Sequence, residues 1–171
     1  NQMLYLTGGL SRNFFALGRT VLWADWSRHT GGLAQASFLG VASQTSQTDV
    51  TVYTFVADAF AAADMLRTHP AIDAERIGIV GFSKGGSTTL LAGDRRFVDA
   101  LSRSGQPFRL HVPVYPGCQV YPENPRPTGA PVRMLLGDAD NFTGTSGCFE
   151  IEAKLRAAGA PVAVTVYPRG L

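Results

Sequence analysis

The feature that most constrains the fold is the run Gly81-Phe82-Ser83-Lys84-Gly85, set between the apolar Ile77-Gly78-Ile79-Val80 and the small-residue Gly86-Ser87-Thr88-Thr89-Leu90-Leu91. A G-x-S-x-G pattern in that setting predicts a strand, a sharp turn and a helix. The serine must occupy a strained bend, so the glycines two before and two after it are expected where a Cβ would collide with neighbouring backbone. The bend lifts the hydroxyl into solvent. The helix then begins beside it, and its first amides and positive dipole end face any oxyanion formed there. Ser83 is therefore a candidate nucleophile. A phosphate-binding loop is excluded, because it needs Gly-Lys-Ser/Thr in succession and Lys84 is followed by two glycines. No G-x-G-x-x-G dinucleotide fingerprint is present.

Strand and helix patterns alternate around this pivot. Arg19 to Asp25 is a β-branched and aromatic run suited to a buried parallel strand. Residues 27–49, rich in Ser, Thr, Gln and Gly, form a connection long enough to border a functional site. Val52, Phe55, Val56, Ala59, Phe60, Ala63 and Leu66 fall on one helical stripe, and His69-Pro70 ends that helix. Gly93 and Asp94-Arg95-Arg96 signal the stop of the helix after Ser83. Leu110 to Tyr115 reads as a strand in which Pro113 argues for a sheet edge or a bulge. After a proline-rich loop from Tyr121 to Ala130 come a strand at Val132–Leu136, a helix at Phe149–Ala158 stopped by Gly159, and a strand at Val162–Tyr167. This order implies an α/β fold: a mostly parallel sheet with helices on both faces, whose ligands gather at the carboxyl ends of the strands.

With 171 residues, 45% of them hydrophobic, the chain is expected to form a single domain, residues 1–171, with one core. A formal charge of +2 without a Lys/Arg run gives no footprint for nucleic acid, and no apolar stretch approaches membrane-spanning length. No targeting leader is visible. Cys118 and Cys148 lack metal-ligand spacing and no histidine cluster joins them; they are expected as buried thiols in a reducing cytoplasm, with a single disulfide as the alternative.

A serine hydroxyl is a poor nucleophile at neutral pH and needs a base, normally a histidine oriented by a carboxylate, in the chain order Ser, acid, His. The acid is due just past a strand after Ser83, and Leu135-Leu136-Gly137-Asp138-Ala139-Asp140-Asn141 meets that demand with either aspartate. All three histidines, His29, His69 and His111, precede Asp140. His69 adjoins a helix-ending proline, His111 reads as a packed imbedded imidazole in a strand, and His29 follows Asp25-Trp26 at a strand end.

Several segments together resemble the dienelactone hydrolase family of α/β-hydrolases. They are Arg76-Ile77-Gly78-Ile79-Val80-Gly81-Phe82-Ser83-Lys84-Gly85-Gly86 preceded by His69-Pro70-Ala71-Ile72-Asp73, with Val21-Leu22-Trp23-Ala24-Asp25-Trp26, Val114-Tyr115-Pro116-Gly117-Cys118, Gly137-Asp138-Ala139-Asp140-Asn141-Phe142-Thr143 and Val164-Thr165-Val166-Tyr167-Pro168. The resemblance runs from Leu17 onward. It implies that Ser83 is the nucleophile, where the best-known members have cysteine, that Asp140 is the triad acid and that Lys84 gives an oxyanion-hole amide. It also implies a histidine a few residues after Tyr167-Pro168, so the sequence is expected to stop short of its base and to have little esterase activity by itself. The second oxyanion amide is expected from Thr7-Gly8-Gly9-Leu10, near Gly9 and Leu10, with Met3–Leu6 as the strand before it; the alternative is that residues 1–18 belong mainly to the intervening helix. Trp26, His29, Tyr115, Cys118 and Phe142, near strand ends, are the expected pocket residues.

The expected activity is hydrolysis of a small-molecule ester or lactone through an acyl-enzyme, with no cofactor. A non-catalytic binding domain of the same fold and an acyltransferase using the same site are the alternatives. Oligomeric state is not legible.

Overall fold

The computed structural model describes residues 52–70, 72–141 and 143–170. Two compact units divide the chain, Asn1–Phe55 and Val56–Leu171. The second holds everything described here except the first residues of its leading helix. Leu10, the strand expected at Arg19–Asp25, Trp26, His29, the segment 27–49 and Phe142 lie outside the described residues.

The elements run α1 (Val52–Arg67), β1 (Ile79–Phe82), α2 (Lys84–Leu91), α3 (Arg95–Leu101), β2 (His111–Val114), a 3-10 turn (Cys118–Val120), β3 (Val132–Gly137), α4 (Ser146–Ala157) and β4 (Val162–Tyr167). The strands form one sheet in the order β1-β2-β3-β4, parallel throughout. Every strand therefore ends on the same rim. Parallel pairing requires a crossover between neighbours: α2 and α3 lie between β1 and β2, the 3-10 turn and the proline-rich loop between β2 and β3, and α4 between β3 and β4.

Local chemistry accounts for the element ends. Val56, Phe60 and Ala63 of the α1 stripe are buried, and Phe60 meets Phe108 with ring centroids 5.3 Å apart. In α4, Cys148, Ile151 and Leu155 are buried at helical spacing, and Gly159 at φ 83° takes the left-handed step that ends it. Alternation along β3 buries Val132, Met134 and Leu136 while exposing Arg133.

Asp94 does more than stop α2. It caps α3, an element the sequence did not announce, by accepting from Arg96 N at 3.0 Å. Its fully buried carboxylate also takes Arg126 N at 2.9 Å and Arg96 Nη2 at 2.8 Å. Burial raises its pKa, but the hydrogen bonds from Arg96 and Arg126 outweigh burial and hold it below the usual carboxylate value.

Two expectations are corrected. β2 is not an edge strand: it pairs with β1 on one side and β3 on the other. His111 N donates to Pro131 O at 2.9 Å and Tyr115 N to Leu135 O at 2.8 Å. The position between them, Pro113, is where another donor to β3 would fall. The sheet absorbs that loss by pairing β2 with β3 at His111↔Val132 and Val114↔Leu135, flanking the proline. The cysteines are not separate thiols either, because Cys118 and Cys148 form a disulfide with Cα atoms 5.2 Å apart. Closing a separation of 30 residues stabilises the fold by roughly 3–4 kcal/mol through the unfolded chain's lost entropy.

Candidate active site

Ser83 stands between the end of β1 and the start of α2 with φ 53° and ψ −118°, a backbone state that a residue with a Cβ occupies only under strain. Neighbours impose it. Ser83 N donates to Val114 O at 3.0 Å, extending the β1–β2 ladder, while Ser83 O accepts from Ser87 N at 3.0 Å as the first bond of the helix. One residue thus ends a strand and opens a helix. Gly81 is required by that bend, because a Cβ there would run into the backbone carbonyl of Gly85 and come within 2.6 Å of Thr89 Oγ1. Gly86 lets α2 approach β2, since its Cβ would lie 2.7 Å from Val114 O. The expectation for Gly85 is corrected: a Cβ at that position meets nothing within 4 Å. Lys84 is the first residue of α2, so its amide belongs to the helix-end donors that have no acceptor one turn earlier.

The rim gathers the remaining parts. Tyr115 follows β2 at φ 35°, and its ring lies 6.0 Å from that of Phe82, the residue before Ser83. Asp138 and Asp140 follow β3, and the turn Tyr167–Gly170 follows β4, with Arg169 at φ 59°. Ser83, Tyr115 and Arg169 are the non-glycine residues at positive φ among those described, and each sits at the carboxyl end of a different strand. Backbone strain is collected on one edge of the molecule.

The two aspartates are held differently. Asp140 closes a local turn, with Oδ1 accepting from Thr143 N at 3.0 Å and Oδ2 from the Thr143 hydroxyl. It is half-buried, whereas Asp138 is exposed and accepts from Arg169 N at 2.5 Å. Asp138 N donates to Tyr167 O at 3.2 Å and Ala139 N to Gly170 O at 3.0 Å, so the chain leaving β4 lies directly on the acid loop. Ser83 and the acid loop are two strand spacings apart, roughly 10 Å between backbones. A serine, an imidazole and a carboxylate side chain in series span that gap.

His111 cannot serve there. It pairs with Ile79 at the amino end of the sheet, four residues short of Ser83, or about 13 Å along the strand. Its ring is fully buried, Nδ1 lies 3.0 Å from Thr89 O, and Phe108 meets it edge-on. Burial pushes its pKa down to about 4, which makes it the neutral core imidazole expected. His69 is exposed in the turn after α1. Of the expected pocket residues, Cys118 is buried in the disulfide and Tyr115 is half-exposed.

Sequence reading passed over Ser87. Its hydroxyl donates to Gly117 O at 3.0 Å and accepts from Gly117 N at 2.9 Å, clipping the elbow helix to the loop after β2. A small polar residue one turn into a buried helix was the available signal.

The model of the dienelactone hydrolase family matches residues 40–170. No curated protein matches the chain. Esterase 2 of Thermogutta terrifontis, phosphoramylated by tabun, superposes with a TM-score of 0.58 at 18% identity, over 74% of this chain and 57% of that one. The acetyl ester-xyloside bifunctional hydrolase of Caldicellulosiruptor lactoaceticus gives 0.50 at 22% identity, over 67% and 55%. A Klebsiella pneumoniae protein considered a dienelactone hydrolase gives 0.55 at 24% identity, over 73% and 52%. At such identities the likeness is one of fold, and the chain spans little more than half the length of these structures. Family pattern, parallel sheet and strained serine agree, and the chain belongs to the dienelactone hydrolase family, on the α/β-hydrolase fold.

Proposed function

We propose that the protein is a serine hydrolase that cleaves a small-molecule ester or lactone through an acyl-enzyme. The observation that carries this reading is the backbone of Ser83, strained at φ 53° and ψ −118° between β1 and the first amide of α2. Strain of that kind costs about 1–3 kcal/mol and needs a return in function.

The Ser83 hydroxyl attacks the carbonyl carbon, and a histidine takes its proton. The oxyanion is held by the Lys84 amide at the start of α2. The tetrahedral adduct collapses, the alcohol leaves with the proton returned by the histidine, and water repeats the sequence to release the acid. Asp140 fixes the tautomer of the imidazole and stabilises its charged form. The imidazole is due beside the loop of Asp138 and Asp140, to which the turn after β4 is hydrogen-bonded through Tyr167 O and Gly170 O. The chemistry requires no cofactor. Tyr115, half-exposed beside Phe82, is assigned to the pocket wall.

Among the described residues no helix is long and apolar enough to cross a membrane. The bonded cysteine pair removes the reason for expecting a reducing cytoplasm and favours an oxidising compartment.

The test is covalent labelling. Thermogutta esterase 2 is phosphorylated by paraoxon in one of its solved structures, and a fluorophosphonate is expected to modify Ser83 of the complete protein and to leave Ser83→Ala unmodified. A folded complete protein that hydrolyses no ester and takes no label at Ser83 overturns the proposal, and favours the binding-domain alternative.

A further inference from the structure

We infer that the Cys118–Cys148 disulfide and the Ser87–Gly117 clip are positioning elements for catalysis: they tie the nucleophile's helix to the acid's loop across the strand that separates them. The inference rests on the serine-hydrolase reading above. Ser83 and Asp140 belong to different strand ends, with the β2 end between them, and no backbone ladder joins the acid loop to the elbow directly. A network of side chains does so instead. Ser87 N holds Ser83 O at 3.0 Å, and the Ser87 hydroxyl, in a residue 6% exposed, exchanges two hydrogen bonds with Gly117. The next residue, Cys118, is bonded to Cys148 in the first turn of α4, the helix that the acid loop leads into.

The same turn makes a second tie. Gln119 Nε2 donates to Thr143 O at 3.3 Å, and Thr143 is the residue whose N–H and hydroxyl bind the Asp140 carboxylate. The segment Gly117–Gln119 therefore grips the elbow helix on one side and the acid turn on the other. A bridge placed only for stability could close any loop. This one closes at the rim, between the two loops whose separation sets the serine–imidazole–carboxylate geometry, and it excludes solvent so completely that Cys118 is 5% and Cys148 0% exposed. Displacements near 1 Å at such a site cost on the order of a hundredfold in rate.

The experiment uses the complete protein, with p-nitrophenyl acetate hydrolysis and the rate of fluorophosphonate labelling at Ser83 as readouts. The variants are C118A/C148A, Ser87→Ala and Gln119→Ala, each assayed well below its own thermal midpoint. Asp94→Asn serves as a control that loses stability at the opposite end of α2. The expected result is a kcat and labelling rate at least tenfold lower for C118A/C148A and Ser87→Ala, severalfold lower for Gln119→Ala, with KM within twofold and Asp94→Asn unchanged. Wild-type kcat in folded C118A/C148A, or an equal loss in Asp94→Asn, overturns the positioning role. If C118A/C148A does not fold, wild-type rates in both Ser87→Ala and Gln119→Ala overturn it. Failure of the underlying reading is seen separately: the unmutated protein then takes no label, or Ser83→Ala retains full activity.

Discussion

Replacing the strained serine by glycine should make the protein more stable than replacing it by alanine, the reverse of what happens at an ordinary position. The reasoning starts from φ 53° and ψ −118° at Ser83. A Cβ in that region costs about 1–3 kcal/mol, and alanine keeps it. Glycine relieves the strain but gives back about 0.5–1 kcal/mol through the greater freedom of the unfolded chain. Ser83→Gly is therefore expected to exceed Ser83→Ala by about 1 kcal/mol, which for a chain of 171 residues moves the thermal midpoint by about 2–4 °C. Ser83→Ala should stay within about 0.5 kcal/mol of the parent, since it removes only a half-exposed hydroxyl. Both variants lose fluorophosphonate labelling. Urea unfolding monitored by circular dichroism at pH 7.5 measures the difference. If glycine is less stable than alanine, as in the middle of an ordinary helix or strand, the bend carries no strain and the case for a catalytic elbow loses its support.

Two further outcomes follow from the same region of the molecule and from its buried imidazole. Gly81→Ala should cost more than about 4 kcal/mol or prevent folding, because its Cβ meets the Gly85 backbone, whereas Gly85→Ala should change stability by less than about 1 kcal/mol, since nothing lies within 4 Å; soluble yield and urea midpoints separate them. For His111 the folded pKa, about 4, lies below its ordinary 6.5, so the unfolded chain binds the extra proton between those values. Stability is complete above pH 6.5 and falls on acidification towards pH 4, by about 3 kcal/mol from this residue. His111→Asn, which keeps a donor for Thr89 O, should be less stable at pH 7.5 yet flatten the stability profile between pH 7 and 4.5; an unchanged slope would refute the assignment.

What could be read beforehand was whatever a short stretch of chain determines by itself. Ser83 was legible because strand, bend and helix follow one another within a few residues, and the α1 stripe because helical period is a local property. β4 was legible at Val162–Tyr167 for the same reason. Pro113 misled because a missing N–H matters only in relation to what lies on that side of the strand. The chain could not reveal that the adjacent ladder bonds at His111 and Tyr115 would carry β2 into the sheet interior. Asp94 read as a helix stop, yet its carboxylate collects donors from Arg96 nearby and from Arg126 in the proline-rich loop. Only the first of those partners is visible locally.

The candidate site divides along the same line. The bend at Ser83 is legible locally, but the relation between Ser83 and the proposed acid, Asp140, is a distance across a sheet, and no spacing along the chain encodes it. Here it is set by β1, β2 and β3 lying side by side, and then by side chains that cross between their ends. A parallel sheet alone fixes the strands and leaves the loops beyond them free to settle. Catalysis needs those loops held to a fraction of an ångström. That requirement gives the Cys118–Cys148 bridge and the Ser87–Gly117 pair a reason to lie at the rim. On the proposed mechanism it also gives a reason for cysteines separated by 30 residues, silent as a motif, to meet beside the turn that holds Asp140.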